Sequence, residues 1–167
     1  GTFNVGDEIE IKPGIMDEKK KTYEPLLTEI TSLGTAAGIV DSVKPGGLVA
    51  IGTKLDPAMT RSDSFIGSVI GKPGTLPENS TQIKLEVNLF DSAVGAAEDT
   101  KVLPIQVGEL LRLNIGTAPI LGKVSKIKSN SIDVELRRPA CIFEGGNVAI
   151  SRRITDRWRL IGAGILG

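Results

Sequence analysis

The chain has 167 residues, enough for one generous domain or two of about 80 to 90 residues each. Its 20 basic and 20 acidic side chains cancel, so the total gives no support to a diffuse polyanion-binding surface, and the absence of histidine removes the commonest general base, the Ser-His and Cys-His nucleophile pairs and most zinc chemistry. Ordinary hydrolases are not expected. Val, Ile and Thr together number 43 against 29 Gly and Pro, a balance that favours many strands joined by tight turns. Six aromatic residues are too few for a platform that stacks single-stranded nucleic acid. The lone Cys141 cannot make an internal disulfide, which fits a reducing compartment. No apolar run approaches the ~20 residues of a membrane helix, and the start, GTFNVGDEIE, has no signal-peptide core. A soluble, cytoplasmic protein with no membrane contact is expected.

Residues 5–12 (VGDEIEIK) alternate apolar Ile9 and Ile11 with charged Glu8, Glu10 and Lys12, the period of a half-buried strand, and Pro13-Gly14 is expected to close it with a turn. The next segment, MDEKKKTYEP, reads as a solvated loop. Its run Asp17, Glu18, Lys19, Lys20, Lys21 is either a hairpin tip or a partner contact. Strands are expected at residues 26–33, at 48–52 after the turn Lys44-Pro45-Gly46-Gly47, and at 64–70. The densest cluster of breakers, residues 71–80 (GKPGTLPENS), sets the domain boundary, giving domains at 1–73 and 81–167 with a linker at 74–80. Beyond it, QIKLEVNLF at 82–90 places Ile83, Leu85, Val87 and Leu89 on one face. Further strands are expected at 109–115, 122–128, 131–136, 147–154 and 158–166, a spacing typical of barrels or sandwiches.

Two landmarks recur in order. GDEIEI at 6–11 is echoed by GELLRL at 108–113, and GGLVAI at 46–51 by GGNVAI at 145–150, which suggests two barrels of related plan unless hairpins merely reuse glycine turns. The second copy has a long strand before its Gly108, whereas only five residues precede Gly6. The first barrel is therefore expected to lack at least one N-terminal strand, as part of something longer.

Sites for chemistry are scarce. The run Gly67-x-x-x-Gly71-Lys72 has glycines one residue too close for a phosphate-binding loop and is followed by Pro73 where Ser or Thr is needed, so no triphosphate site is expected. Asp56, Asp63 and Asp91 sit in turn-like contexts without the pairing of a glycosidase or a metal centre, and no catalytic or metal-ligating residue is assigned. Charge is unevenly placed: residues 137–167 carry six basic and two acidic groups, the basic ones all arginine, Arg137, Arg138, Arg152, Arg153, Arg157 and Arg159. Guanidinium forks suit phosphate or carboxylate, so these face RNA, an acidic domain surface, or a ladder with Asp156, Glu144 and Glu135. Trp158 between two of them reads as a core or interface anchor.

The runs VGDEIEIKPG (5–14), PGGLVAIGTKLDP (45–57), LRRP (136–139), ISRR (150–153) and RWRLIG (157–162) together resemble the gamma subunit of archaeal and eukaryotic translation initiation factor 2, and the resemblance covers essentially the whole chain. It implies an all-β chain of two tandem antiparallel β-barrels, akin to the second and third domains of elongation factor Tu, with the GTP-binding domain absent. GTP and magnesium then belong to that absent domain, no cofactor to this chain, and the residues present are not themselves an enzyme. The resemblance further implies a binding module in translation initiation that holds methionylated initiator tRNA, docks the alpha subunit and works on the small ribosomal subunit, with the beta subunit reached only through the GTP-binding domain. By position, Val49, Ala50, Gly52, Thr53 and Lys54 form the wall for the aminoacyl end of the tRNA. Gly52 allows close approach, and Lys54 meets a phosphate. Alpha-subunit docking falls to the loop around Asp17, Glu18, Lys19, Lys20 and Lys21 and to residues 34–43. A selenocysteine-specific elongation factor shares the barrel plan, and a purely structural spacer is the remaining alternative.

Overall fold

In the C-terminal half of the chain, alternating apolar residues roll the sheet into a closed barrel. The computed structural model describes residues 1–17, 19–95 and 100–167. Strands β1 (Phe3–Asn4), β2 (Glu8–Asp17), β3 (Thr22–Thr35), β4 (Gly38–Val40), β5 (Ser42–Val43), β6 (Ala50–Thr53), β7 (Val69–Gly71), β8 (Asn79–Val94), β9 (Leu110–Ile115), β10 (Ala118–Lys128), β11 (Ser131–Cys141), β12 (Asn147–Ile154) and β13 (Arg157–Leu166) follow in chain order. Among the described residues the only helical turns are 3-10 turns within Pro57–Asp63, capped by the Asp56 carboxylate accepting from the Ala58 N–H at 2.8 Å. The architecture is all-β. Two compact units share the chain: Gly1–Phe65 with Val69–Leu76, and Ile66–Ser68 with Pro77–Gly167.

The second unit is a six-stranded barrel in the order β10-β11-β8-β13-β12-β9, closing back on β10, with every pair antiparallel. Closure leaves no open edge, so the backbone groups of all six strands can be satisfied within the ring. Leu111, Leu113 and Ile115 of β9 point inward between outward Arg112 and Asn114. They meet Ile83 and Leu85 of β8, Ile132, Val134 and Leu136 of β11, Val148 and Ile150 of β12 and Ile161 of β13. The expected apolar face of β8 is present, buried at Ile83 and Leu85 and half-buried at Val87 and Leu89. Hairpins also extend strands that sequence pattern had cut short. Gly116-Thr117 turns β9 into β10, which starts at Ala118, four residues before the expected start at Gly122, and β11 runs on to Cys141 through Arg138 and Pro139.

The first unit is built on an open sheet ordered β4-β3-β2-β7, with β6 added to β3, and a separate ribbon of β1 with β5. Its core is small: Ile9, Ile30 and Leu33 are fully buried, with Phe3, Val40, Val43, Val49, Ile51 and Ile70 packed around them. Pro13-Gly14 does not end the first long strand. The pairing of β2 with β3 resumes at Ile15 opposite Glu24 after a register shift, and Gly14, at φ +86°, lies so close to Glu24 that a Cβ there would overlap its carbonyl oxygen. The Pro-Gly pair is therefore a bulge within a hairpin, not a turn. The supposed solvated loop shrinks accordingly to a tip between Asp17 and Thr22, which face each other across the two strands. A strand at 64–70 forms only at Val69–Gly71, because the 3-10 turns and a further turn over 64–67 occupy the residues before it.

Of the repeated landmarks, the local turns recur and the pairing does not. Gly6 and Gly108 share a left-handed backbone, φ +91° and +86°, and lead into the first echoed strands, β2 and β9. In the second unit the two echoed strands, β9 and β12, pair directly, whereas in the first β2 and β6 each pair with β3.

Because Leu113 is wholly buried at the centre of the closed barrel, Leu113→Ala is expected to destabilise the second unit by roughly 2 to 5 kcal/mol. Chemical denaturation followed by the fluorescence of Trp158 measures it; a loss below about 1 kcal/mol would contradict the packing described.

Candidate nucleic-acid and partner surfaces

Residues 49–54 follow the turn at Pro45-Gly46-Gly47 and pass into β6, whose pleat splits them between two faces. Val49 and Ile51 face the core of the first unit and line a cavity of about 570 Å³ together with Phe3, Val43 and Ile70, with Lys44 and Lys72 also in its lining. Ala50, Gly52 and Lys54 fall on the opposite face. The space a Cβ would occupy at Gly52 holds the Ser32 hydroxyl, so its bareness first serves the pairing of β6 with β3. The Thr53 hydroxyl accepts from the Leu55 N–H at 3.3 Å and shapes the exit from the strand. Among the described residues β6 pairs with β3 alone, which leaves the groups along its other edge without a strand partner.

Lys54 reaches back across the sheet to Glu29, Nζ to Oε2 2.6 Å, at a cleft of about 380 Å³ that Glu8, Leu27, Thr28, Leu55 and Pro73 also line. Lys54 is 61% and Glu29 38% exposed, so water screens the pair and it is worth at most about 1 kcal/mol. Such a cation is easily re-partnered. Glu29 carried no signal in the sequence, because 25 residues separate it from Lys54 and only the β3–β6 pairing brings them together.

At the tip of the β2–β3 hairpin the Asp17 carboxylate accepts from the backbone N–H groups of Lys19, at 2.8 Å, and Lys20, at 3.1 Å. Lys20 pairs with Glu24 at 2.5 Å, and Lys21 takes the left-handed backbone that the turn requires, φ +54°. Asp17 thus builds the tip, and Lys19 and Lys21 project from it, exposed. Glu18, grouped with them on sequence, lies outside the described residues.

The six arginines separate by what holds them. Arg152, opposite Arg159 across β12 and β13, is clamped: Nε to Glu109 Oε1 at 2.5 Å, Nη2 to Glu109 Oε2 at 3.1 Å, and donated bonds to the carbonyls of Leu103, 2.8 Å, and Pro104, 3.3 Å. Both partners are more than four-fifths buried, and Glu109 also accepts from the Gln106 N–H, so this pair fastens the segment before β9 to β12. Arg138 donates to the Pro119 carbonyl at 3.3 Å. Arg153 meets Asp156 at 2.9 Å in an exposed pair, across a turn in which Thr155 and Asp156 both have positive φ. Among the described residues Arg137, Arg157 and Arg159 have no such partner, and Trp158 stands half-buried opposite Arg153.

The run 67–72 contains β7 rather than a loop opening a helix, and among the described residues no three His, Cys, Asp or Glu side chains converge to hold a metal ion. Nor is any helix among them long and apolar enough to cross a membrane.

A family model described as Initiation factor eIF2 gamma, C terminal, matches residues 81–166, the closed barrel. The chain belongs to that family. It is also 49% identical over 166 residues to the translation initiation factor 2 subunit gamma of Archaeoglobus fulgidus, covering 99% of this chain and 39% of that protein. The proteins of the same name from Aeropyrum pernix and Methanocaldococcus jannaschii are each 48% identical, over 169 and 168 residues, covering 99% of this chain and 41% of theirs. The chain thus spans about two fifths of the length of these relatives. Membership places the chain among translation initiation factors, and the barrel β8–β13 is the part that the family model describes.

The contrast between neighbouring arginines can be measured. Arg152→Ala leaves Glu109 without its partner and is expected to cost about 2 kcal/mol, while Arg153→Ala, which removes an exposed pair, costs less than about 0.5 kcal/mol. Equal losses in denaturant unfolding would contradict the clamp.

Proposed function

We propose that this chain is the RNA-holding and partner-docking part of a translation initiation factor 2 gamma subunit. It offers a passive seat for methionylated initiator tRNA and a hairpin for the alpha subunit. The observation that carries this reading is the edge of β6: Ala50, Gly52 and Thr53 on a strand with no strand paired along its other side among the described residues, followed by Lys54 in a weak, exposed ion pair. Backbone groups along such an edge can take up hydrogen bonds from an extended ligand, and the ammonium can exchange Glu29 for a phosphate. The small side chains of Ala50 and Gly52 let a planar group come near the backbone.

GTP hydrolysis, with its magnesium, belongs in this reading to a domain outside the present residues. That domain also carries the beta subunit, and its closure over the barrels would complete the tRNA slot. The tip residues Asp17, Lys19, Lys20 and Lys21 serve the alpha subunit. Lys19 and Lys21 supply exposed positive charge, a contact that raises association rate more than affinity. Two arginines suit a structural role, Arg152 through Glu109 and backbone carbonyls and Arg138 through the Pro119 carbonyl. Of the six, Arg137, Arg157 and Arg159, together with Arg153 in its weak exposed pair, are then available to ribosomal or transfer RNA.

Two variants of the intact factor separate the surfaces. Lys54→Ala should weaken methionylated initiator tRNA and flatten the salt dependence of its binding by about one unit of slope, with alpha-subunit binding unchanged. Lys19→Ala combined with Lys21→Ala should slow association of the alpha subunit and spare the tRNA. Unchanged tRNA affinity and slope in Lys54→Ala would remove the seat, and an unchanged association rate in the double variant would remove the docking tip.

A further inference from the structure

Glu10 and Lys12 are the buried charged residues among those described, 9% and 4% exposed, and they sit two apart on β2. Alternation along residues 5–12 places them with Glu8 on a solvated face. The structure instead covers that face with residues 72–76, which run on from β7, the strand that pairs Gly71 with Glu10 and Val69 with Lys12. The Glu10 carboxylate accepts from the Gly74 N–H at 3.1 Å through Oε2 and faces Lys12 Nζ at 3.7 Å through Oε1. Lys12 Nζ donates to the Leu76 carbonyl at 3.3 Å. Between those two anchors Thr75 closes a turn onto the Lys72 carbonyl, from N at 3.1 Å and from Oγ1 at 2.7 Å. Leu76 also lies over Gly71, where a Cβ would press on its side chain.

A buried ion pair is a poor source of stability, because desolvation offsets most of its attraction and an apolar pair of similar volume often does as well. An apolar pair could not, however, satisfy the Gly74 N–H or the Leu76 carbonyl. We propose that Glu10 and Lys12 form a latch that holds residues 72–76 in a single conformation against the first unit, so that the chain leaves this unit at one fixed place, Leu76. The latch defines a path more than it stabilises a fold. Its registry depends on the two charges lying on one face of one strand, each taking a different backbone group of the strap.

The test is hydrogen exchange by NMR at Gly74 in the 167-residue chain, in Glu10→Gln and in the double variant Glu10→Leu with Lys12→Met, which leaves neither charge buried. The latch predicts that exchange at Gly74 accelerates at least tenfold in both, while the amide of Ile30 in the core keeps its wild-type rate. It also predicts that the double variant melts no lower than the single. If Glu10→Gln does not fold and the double variant does, the same reading at Gly74 in the double variant decides. Gly74 exchange within twofold of wild type in a folded double variant would overturn the latch. So would a double variant that fails to fold, since the pair would then be an element of stability.

Discussion

Every β-strand has two edges, and each N–H and C=O along them must find a partner in the protein or in solvent. In the second unit that requirement is met by closure: β9 and β10 pair across the seam, and Leu85, Leu111, Leu113, Ile150 and Ile161 fill the ring. In the first unit pairing stops short. Among the described residues β6 has one neighbouring strand and three core residues are fully buried, and Val49 and Ile51, packed on that core, also line a cavity. The contrast assigns the two halves different physical work. A closed barrel is a rigid body with side chains to present, while an open sheet has backbone to lend.

Electrostatics follow the same division. The net charge of zero conceals two kinds of charged group, those consumed by the fold and those left at its surface. Glu109 with Arg152, and Glu10 with Lys12, are turned inward and satisfy backbone groups as well as each other. Lys54 with Glu29, and Arg153 with Asp156, stand in water, where an incoming anion displaces the acid at little cost. A composition with little net attraction for polyanions is thus compatible with the proposed local recognition of one, which would rest on a few exposed cations and not on a field.

Much of the architecture was legible in alternation. The apolar sets of β8, β9 and β12 follow the period of two, and the turn glycines Gly6 and Gly108 announce the strands after them. What escaped did so for identifiable reasons. Pro13-Gly14 has turn chemistry, but a bulge uses the same residues when Glu24 lies close behind, and no local pattern reveals what lies behind. Glu10 and Lys12 read as outward because nothing in residues 5–12 tells of a strap arriving from sixty residues downstream. The arginines could be listed from sequence but not sorted. Arg152 and Arg153 are adjacent and chemically identical, and only the position of Glu109 on β9's approach makes one structural and the other exposed. Lys54 stood out in the PGGLVAIGTK run, whereas its counter-ion Glu29 is visible only through strand pairing.

In the proposed function the edge of β6 away from β3 is the seat of the charged RNA. Amide hydrogen exchange of residues 50–53 in the intact factor, with GTP bound and with or without methionylated initiator tRNA, addresses this directly. Slowed exchange at these amides, beyond that at the closed barrel β8–β13, is the expected result. Exchange at β6 unaltered by a saturating concentration of the tRNA would contradict it.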